Sequence, residues 1–369
     1  MAFSQRKIHL GVSFSSLAAL VLGLAACTPQ TASTPPQGAT GNSPAAPASA
    51  PGGAASINGA GASAPNLLYQ RWFQEYNRKN PGVQISYDSV GSGAGVKRFL
   101  DQTVDFAATD DPLKDEDRAK LPGDRGKAVQ IPSTGLFIVM AYNAPGLTDL
   151  KLTREAFCGI VDGSIKSWDD PKIKANNPAA PSQPLTFVHR SDGSGTTAIF
   201  TNHITKACPN WKGGSGKTVE WPTGTGAKGN EGVTAQIQQT AGAIGYTEYS
   251  FSKQNNLPTA SLQNKSGAFI APTPESASKA LDGVSVPDNF VVKVPDPEGK
   301  DSYPIVSLTY LLLYENPKDP AKAKAFNEFM KWAYGDGKAF ATELGYLPLP
   351  ESISTKAASA LDTIKVAAK

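Results

Sequence analysis

A chain of 369 residues is too long for one simple core and leaves room for two domains of roughly 100–200 residues. With 40% hydrophobic and 18% charged residues it reads as a folded soluble protein, which excludes a disordered or membrane-embedded one. A formal charge of +3 is too small to argue for nucleic acid as a partner.

In chain order, the first segment is a leader. Arg6 and Lys7 precede an apolar run, "LGVSFSSLAALVLGLAA" from Leu10 to Ala26, which ends in small residues before Cys27. That is the pattern of a secretory signal. The run carries three serines and falls short of the ~20 residues of a membrane span. "LAAC", Leu24 to Cys27, resembles the lipobox of bacterial lipoproteins; the resemblance implies a lipidated Cys27 as the first mature residue, holding the protein on a membrane. Residues 28–56 hold no charge and no aromatic side chain, only small, polar and proline residues. They cannot bury enough surface to offset chain entropy, so they read as a flexible tether. Residues 1–26 are then a signal, and 27–56 a lipid-bearing cysteine with its tether.

From Ile57 on, strands and helices alternate. Leu67, Leu68, Trp72 and Tyr76 fall at helical spacing, and "NPG" from Asn80 stops that helix. "VQISYDSV" alternates like a strand, "GVKRFLDQTV" reads as a helix and "DFAATD" as a short strand. "GLFIVMAYN", Gly135 to Asn143, is a continuous apolar run and predicts a buried strand. A helix follows from Thr153, then the strand "PLTFVHR", the helix "TTAIFTNHIT", and a helix–turn–strand in "EGVTAQIQQTAGAIGY". "PIVSLTYLLLY", Pro304 to Tyr314, is a strong strand, and Ala321 to Tyr346 gives two helices broken near Gly335. The alternation predicts an α/β fold with a largely parallel sheet, whose ligands sit where strands hand over to helices. Cys158 and Cys208 are the cysteines of this part. Thiols in an exported domain often pair; a disulfide and two buried free thiols both remain open.

Three turns before helices share one chemistry. "GAGASAPN" (Gly59 to Asn66), "VGSGAGVKRF" (Val90 to Phe99) and "HRSDGSGTT" (His189 to Thr197) each set glycine beside serine or threonine at a helix start. Unpaired N–H groups and the positive dipole end make such starts anion sites, although each alone is as readily an N-cap. Arg190 adds a planar fork suited to phosphate or carboxylate oxygens. Other patterns fail. "GAGASA" fits a dinucleotide fingerprint loosely, but no convincing strand precedes it and no acidic residue follows at the right distance. "GGSGKT", Gly213 to Thr218, lacks the first glycine of a P-loop because Trp211 stands there, and reads as a loop. Ser194 lacks the flanking glycines of a nucleophile elbow. With His189 and His203 as the histidines after the leader, and no cysteine cluster, neither a zinc site nor another cofactor is expected. His189 reads as a strand-end residue rather than a base.

The order and intervals of "GAGASAP", "VGSGAGVKRFLDQTVDFAATDDPL", "FVHRSDGSGTTAIFTNHI", "WPTGTGAKGNEGV" and "GAIGYTEYSFSKQNNL" resemble the phosphate-binding protein family of bacterial high-affinity phosphate ABC transporters, from about Ile57 to past Tyr346. The resemblance implies a two-lobed periplasmic-binding-protein fold. Lobe one would be about 57–132 plus 305–369, and lobe two about 133–304. "IPSTG" and "YPIVS" would be the two hinge crossings, with the ligand cleft between the lobes. It implies that Ser63, the Ala64 N–H, Ser92, Asp110, Arg190, Ser194, the Gly195 N–H and Thr196 contact phosphate, with Asp192 steadying Arg190. Departures exist: Ser63 and Ala64 stand where the family often has threonine and a bulky aromatic, and Gly93 replaces a common second serine.

On this reading Asp110 selects the anion. A carboxylate repels an oxyanion in a closed cleft unless the anion carries a proton, which phosphate does near neutral pH and sulfate does not. The plain alternative is that Asp110 or Asp111 caps a helix after Pro112. The resemblance further implies a monomer that is not an enzyme and passes inorganic phosphate to membrane permease subunits from the periplasm or cell surface. A phosphate sensor or adhesin, and a secreted phosphatase using the same cleft, are the competing readings.

Overall fold

The computed structural model describes residues 55–366. The signal, Cys27 and the tether up to Ala54 lie outside them. Strand β1 spans Ala55–Gly61, so the last two residues assigned to the tether belong to the sheet. It also corrects the view that no strand precedes the first glycine-rich turn. "ASINGAG" has one β-branched residue and gives little propensity, but all seven of its residues have parallel partners on the neighbouring strand, and Ile57, Gly59, Ala60 and Gly61 are buried.

The remaining main strands are β2 (Val83–Ser89), β3 (Phe106–Thr109), β4 (Ala128–Asn143), β5 (Thr186–Arg190), β6 (Thr225–Ala227), β7 (Ala243–Glu248) and β8 (Ile305–Tyr314). Their order in the sheet is β2-β1-β3-β8-β4-β7-β5-β6. The flanks are parallel: β1 with β2 and β3, β5 with β6 and β7. The centre is antiparallel, β8 with β3 and β4, and β4 with β7. The expectation of a largely parallel sheet is therefore corrected to a mixed one. Local patterns identify strands but do not fix their direction when the chain crosses between two half-sheets.

β4 makes that crossing. Ala128 to Phe137 pair with β8, and from Ile138 the strand pairs with β7. It begins seven residues before the apolar run that predicted it, because "AVQIPST" breaks its apolar residues with Gln130, Ser133, Thr134 and a proline. Pro132 is tolerated at a register shift: Thr309 pairs with Thr134 and Tyr310 with Pro132, leaving Ser133 as the extra residue of a bulge. "IPSTG" lies inside β4, and "YPIVS" leads into β8.

Helices pack on this frame. α1 (Asn66–Lys79) buries Leu68, Tyr69, Trp72, Phe73 and Tyr76, one stripe at helical spacing, while Leu67 sits at its edge. Each large side chain so buried is worth about 1.5–3 kcal/mol. α2 (Ser92–Leu100) starts earlier and stops earlier than its sequence pattern predicts. α3 (Arg154–Asp162) is capped by Thr153, whose hydroxyl accepts the Ala156 N–H. α4 (Gly195–Ala207) follows β5, and α5 (Gly229–Gln239) follows β6. α6 (Pro320–Tyr334) and α7 (Lys338–Leu344) break at Gly335 as expected, and α8 (Glu351–Leu361) adds a helix the pattern did not mark. Cys158 in α3 and Cys208 at the end of α4 form a disulfide, with Cα atoms 5.5 Å apart. No helix among the described residues is long and apolar enough to cross a membrane.

Candidate functional site

Four helix starts meet at one buried point. α1 and α2 come from the β1 side of the sheet, α4 and α5 from the β5 side. The loops touch directly: the Gly93 N–H donates to the Gly193 carbonyl at 2.7 Å, and the Asn230 N–H donates to Ser63 Oγ at 3.1 Å. Helix starts carry the positive end of the dipole and their first N–H groups, which favours an anion where they converge.

All the residues anticipated from the sequence meet there. Ser63, Ala64, Ser92, Asp110, Arg190, Ser194 and Thr196 are each no more than 3% exposed. Ser92 Oγ accepts the Asp110 N–H at 3.2 Å, and Ser194 Oγ accepts the Thr197 N–H at 3.0 Å as the cap of α4. Ala64 is enclosed, its carbonyl accepting the Tyr346 hydroxyl at 2.6 Å. Gly195 is required by contact. A Cβ there would lie 2.6 Å from Asp110 Cβ and 2.7 Å from Asp110 Oδ2. Gly91, at φ +89°, sits where a Cβ would run into Asp192 Oδ2.

Arg190 is held rigidly. Its Nε and Nη2 donate to the two carboxylate oxygens of Asp192 at 2.8 and 2.6 Å, and Asp192 Oδ1 also accepts the Gly229 N–H at 3.1 Å. Burial alone would raise the Asp192 carboxyl, but Arg190 and that N–H outweigh it and keep it below its ordinary range. The pairing leaves Nη1, which reaches Thr196 Oγ1 at 3.4 Å. Arginine thus presents a fixed fork edge to the site.

Asp110 differs. Its Oδ1 accepts the hydroxyl of Thr309 on β8 at 2.8 Å, next to the bulge at Ser133. Its Oδ2 is buried and has no hydrogen-bond partner among the described residues. Burial lifts its pKa to about 6, against the pull of Thr309, Arg190 and the nearby Thr196 hydroxyl, with Asp111 pushing it further up. A buried carboxylate oxygen without a donor, beside a ring of donors, is matched by an anion that brings its own O–H. Asp110 caps no helix. Asp111 pairs with Lys217 across the loops at 3.3 Å, and the next short helix begins only at Asp115.

Several contributors escaped the sequence. Thr309 lies about two hundred residues from its partner Asp110. Lys217 sits in the failed P-loop segment, and its carbonyl accepts the Ser194 N–H at 2.8 Å. Glu231 Oε1 accepts Ser89 Oγ at 3.0 Å and tethers the two sides at the rim. Asn230 lay inside a quoted motif but carried no assigned role. His189 is at the strand end, stacked on Trp221, and burial lowers its pKa. Among the described residues no group of three or more His, Cys, Asp or Glu is placed to hold a metal ion.

Comparison with known proteins gives the family. Residues 45–336 match the PBP superfamily domain. The phosphate-binding protein PstS of Pasteurella multocida is 41% identical over 303 residues, covering 80% of this chain and 86% of that one. PstS of Methanocaldococcus jannaschii is 36% identical over 330 residues, covering 82% and 85%. These relatives are named as binding proteins rather than enzymes. Among solved structures, the periplasmic phosphate-binding protein PfluDING, bound with phosphate, matches with a TM-score of 0.71 at 23% identity, over 82% of this chain and 93% of that one. The phosphate-binding protein of Stenotrophomonas maltophilia matches with a TM-score of 0.67 at 19% identity, over 82% and 93%. The structural likeness establishes the two-lobed periplasmic-binding-protein fold, and with the sequence identities over most of its length the chain belongs to the PstS family of phosphate-binding proteins.

Proposed function

We propose that this protein binds inorganic phosphate outside the cytoplasmic membrane and hands it to the permease of a phosphate ABC transporter for uptake. Ser63, the Ala64 N–H, Ser92, Arg190, Ser194, the Gly195 N–H and Thr196 are the donors on this reading, and Asp110 is the one acceptor. The family supports the ligand class. The observation that carries the anion's identity is the buried, unpartnered Oδ2 of Asp110. A phosphate hydroxyl satisfies that oxygen, whereas sulfate near neutral pH places a bare oxyanion against it. No nucleophile–base pair belongs to this reading, and the bound anion leaves unchanged.

Phosphate drawn between the two sets of helix starts links the lobes, so binding favours the arrangement in which the loops touch. Lipid on Cys27, followed by the charge-free tether, holds this monomeric domain at the membrane within reach of the permease. Calorimetric titration of the purified protein with phosphate and with sulfate tests the proposal. Wild type is expected to bind phosphate and reject sulfate, and Asp110→Asn to bind both. No heat with phosphate refutes the function; continued rejection of sulfate by Asp110→Asn refutes the role of Asp110.

A further inference from the structure

Asn230, the second residue of α5, is fully buried between the two sides of the site. Its Nδ2 donates to Ser63 Oγ at 2.8 Å and to Thr196 Oγ1 at 3.2 Å. Its Oδ1 accepts the Thr247 hydroxyl at 3.1 Å and the Glu248 backbone N–H at 3.0 Å. The amide's orientation is forced, because a backbone N–H only donates and the atom facing Glu248 must be the oxygen. The NH2 group therefore faces both hydroxyls.

The lone pairs of those hydroxyls are then occupied. Ser63 Oγ accepts from Asn230 twice, from Nδ2 and from the backbone N–H at 3.1 Å. Thr196 Oγ1 accepts from Asn230 Nδ2 and, at 3.4 Å, from Arg190 Nη1. A hydroxyl with both lone pairs taken has only its hydrogen left to offer. Serine and threonine are ordinarily ambivalent, and a ligand with O–H or N–H donors could use them as acceptors. Here that option is closed from behind.

We propose that Asn230 is a positioning residue that fixes Ser63 and Thr196, on opposite sides of the site, as donors only, and so reserves the site for an oxyanion. The proposal rests on the phosphate reading above. Asp110 is left as the single group that takes a proton from the ligand, and Asn230 is the reason the hydroxyls do not compete with it.

Asn230→Asp reverses the device. The new carboxylate keeps the shape and the contacts to Thr247 and Glu248, but accepts where the amide donated, so the hydroxyl hydrogens turn towards it. Phosphate titrations of wild type, Ser63→Ala, Asn230→Asp and the double variant form the test, with circular dichroism as the check on folding. Ser63→Ala alone is expected to weaken phosphate binding about tenfold, near the worth of one hydrogen bond to a charged group. Asn230→Asp is expected to weaken it about a hundredfold or more, as two such bonds are lost. In the Asp background Ser63→Ala then costs less than about twofold, because that hydroxyl no longer serves the anion. If Ser63→Ala still costs its full tenfold there, the aspartate acts by charge repulsion alone and the proposal fails. If Asn230→Asp does not fold, Asn230→Ala decides: an affinity about tenfold weaker supports the positioning role and a wild-type affinity overturns it. Absence of phosphate binding by wild type would instead refute the phosphate reading itself.

Discussion

Replacing Gly195 by alanine adds one methyl group where the two sides of the site meet. Its Cβ would lie 2.6 and 2.7 Å from Asp110 Cβ and Oδ2, and closer still to Ser92 Oγ. Comfortable contact between such atoms needs ~3.5–4.0 Å, so the loops must separate by about 1 Å. Overpacking of this size costs ~1–3 kcal/mol. The cost falls on the arrangement in which the loops touch, and at ~1.4 kcal/mol per tenfold it weakens phosphate binding about five- to 150-fold. Alanine is a better helix residue than glycine, so the start of α4 itself does not suffer. The assay is calorimetric titration with phosphate, paired with thermal unfolding of the ligand-free protein. Gly195→Ala should lose affinity while keeping its secondary structure and most of its thermal stability. A wild-type dissociation constant would refute the inference that the closed contact at Gly195 is part of binding.

Arg190→Ala leaves Asp192 buried without its partner and the anion underpaired; a loss of ~3–5 kcal/mol, over a hundredfold in the phosphate dissociation constant, is expected by calorimetry. Asp110 holds its proton more tightly folded than unfolded, since burial lifts its pKa to about 6. Its contribution to stability is therefore full below the ordinary carboxylate value and falls, by about 3 kcal/mol, as pH rises from about 4 to about 6. Denaturant midpoints of ligand-free protein across that window should show a steeper decline in wild type than in Asp110→Asn, and parallel curves would contradict it. Serine at both Cys158 and Cys208 should cost about 2–4 kcal/mol in urea unfolding with phosphate affinity unchanged, because the bridge lies at the far end of α4 from Ser194. An affinity that fell with stability would tie the bridge to the site.

What was legible in the sequence was what is local. The stripe from Leu68 to Tyr76 is an i, i+4 pattern, and the Ser194 cap announces itself three residues before Thr197. "HRSDGSGTT" contains Arg190, its partner Asp192 and the donors of α4 within one strand-to-helix turn, so half of the site could be read from nine letters. Strand β1 was missed because small residues make it a strand only through its neighbours. The antiparallel centre was missed because direction depends on how two distant segments cross. Thr309 and Asn230 were missed for a related reason. Each reaches a site residue more than 160 positions away in sequence, Thr309 to Asp110 and Asn230 to Ser63, and nothing local marks such an aim. Lys217 belongs to no P-loop, yet it pairs with Asp111 beside the site.

The partner exchange in β4 bears on how often the protein can repeat its task. Between Phe137 and Ile138 the strand changes neighbours without leaving the extended conformation, so both halves of the molecule grip the same length of backbone. Such a joint can flex, but it cannot slide by a residue without remaking its pairings on both sides, because the strand is buried on both faces from Gln130 to Tyr142. On the hinge reading, the two sides of the site return to the alignment that sets Asp110 against Gly195. On the transport reading, a protein that releases and reloads needs that fidelity more than it needs speed, and here it comes from one continuous strand, bulged at Ser133, rather than from a flexible linker.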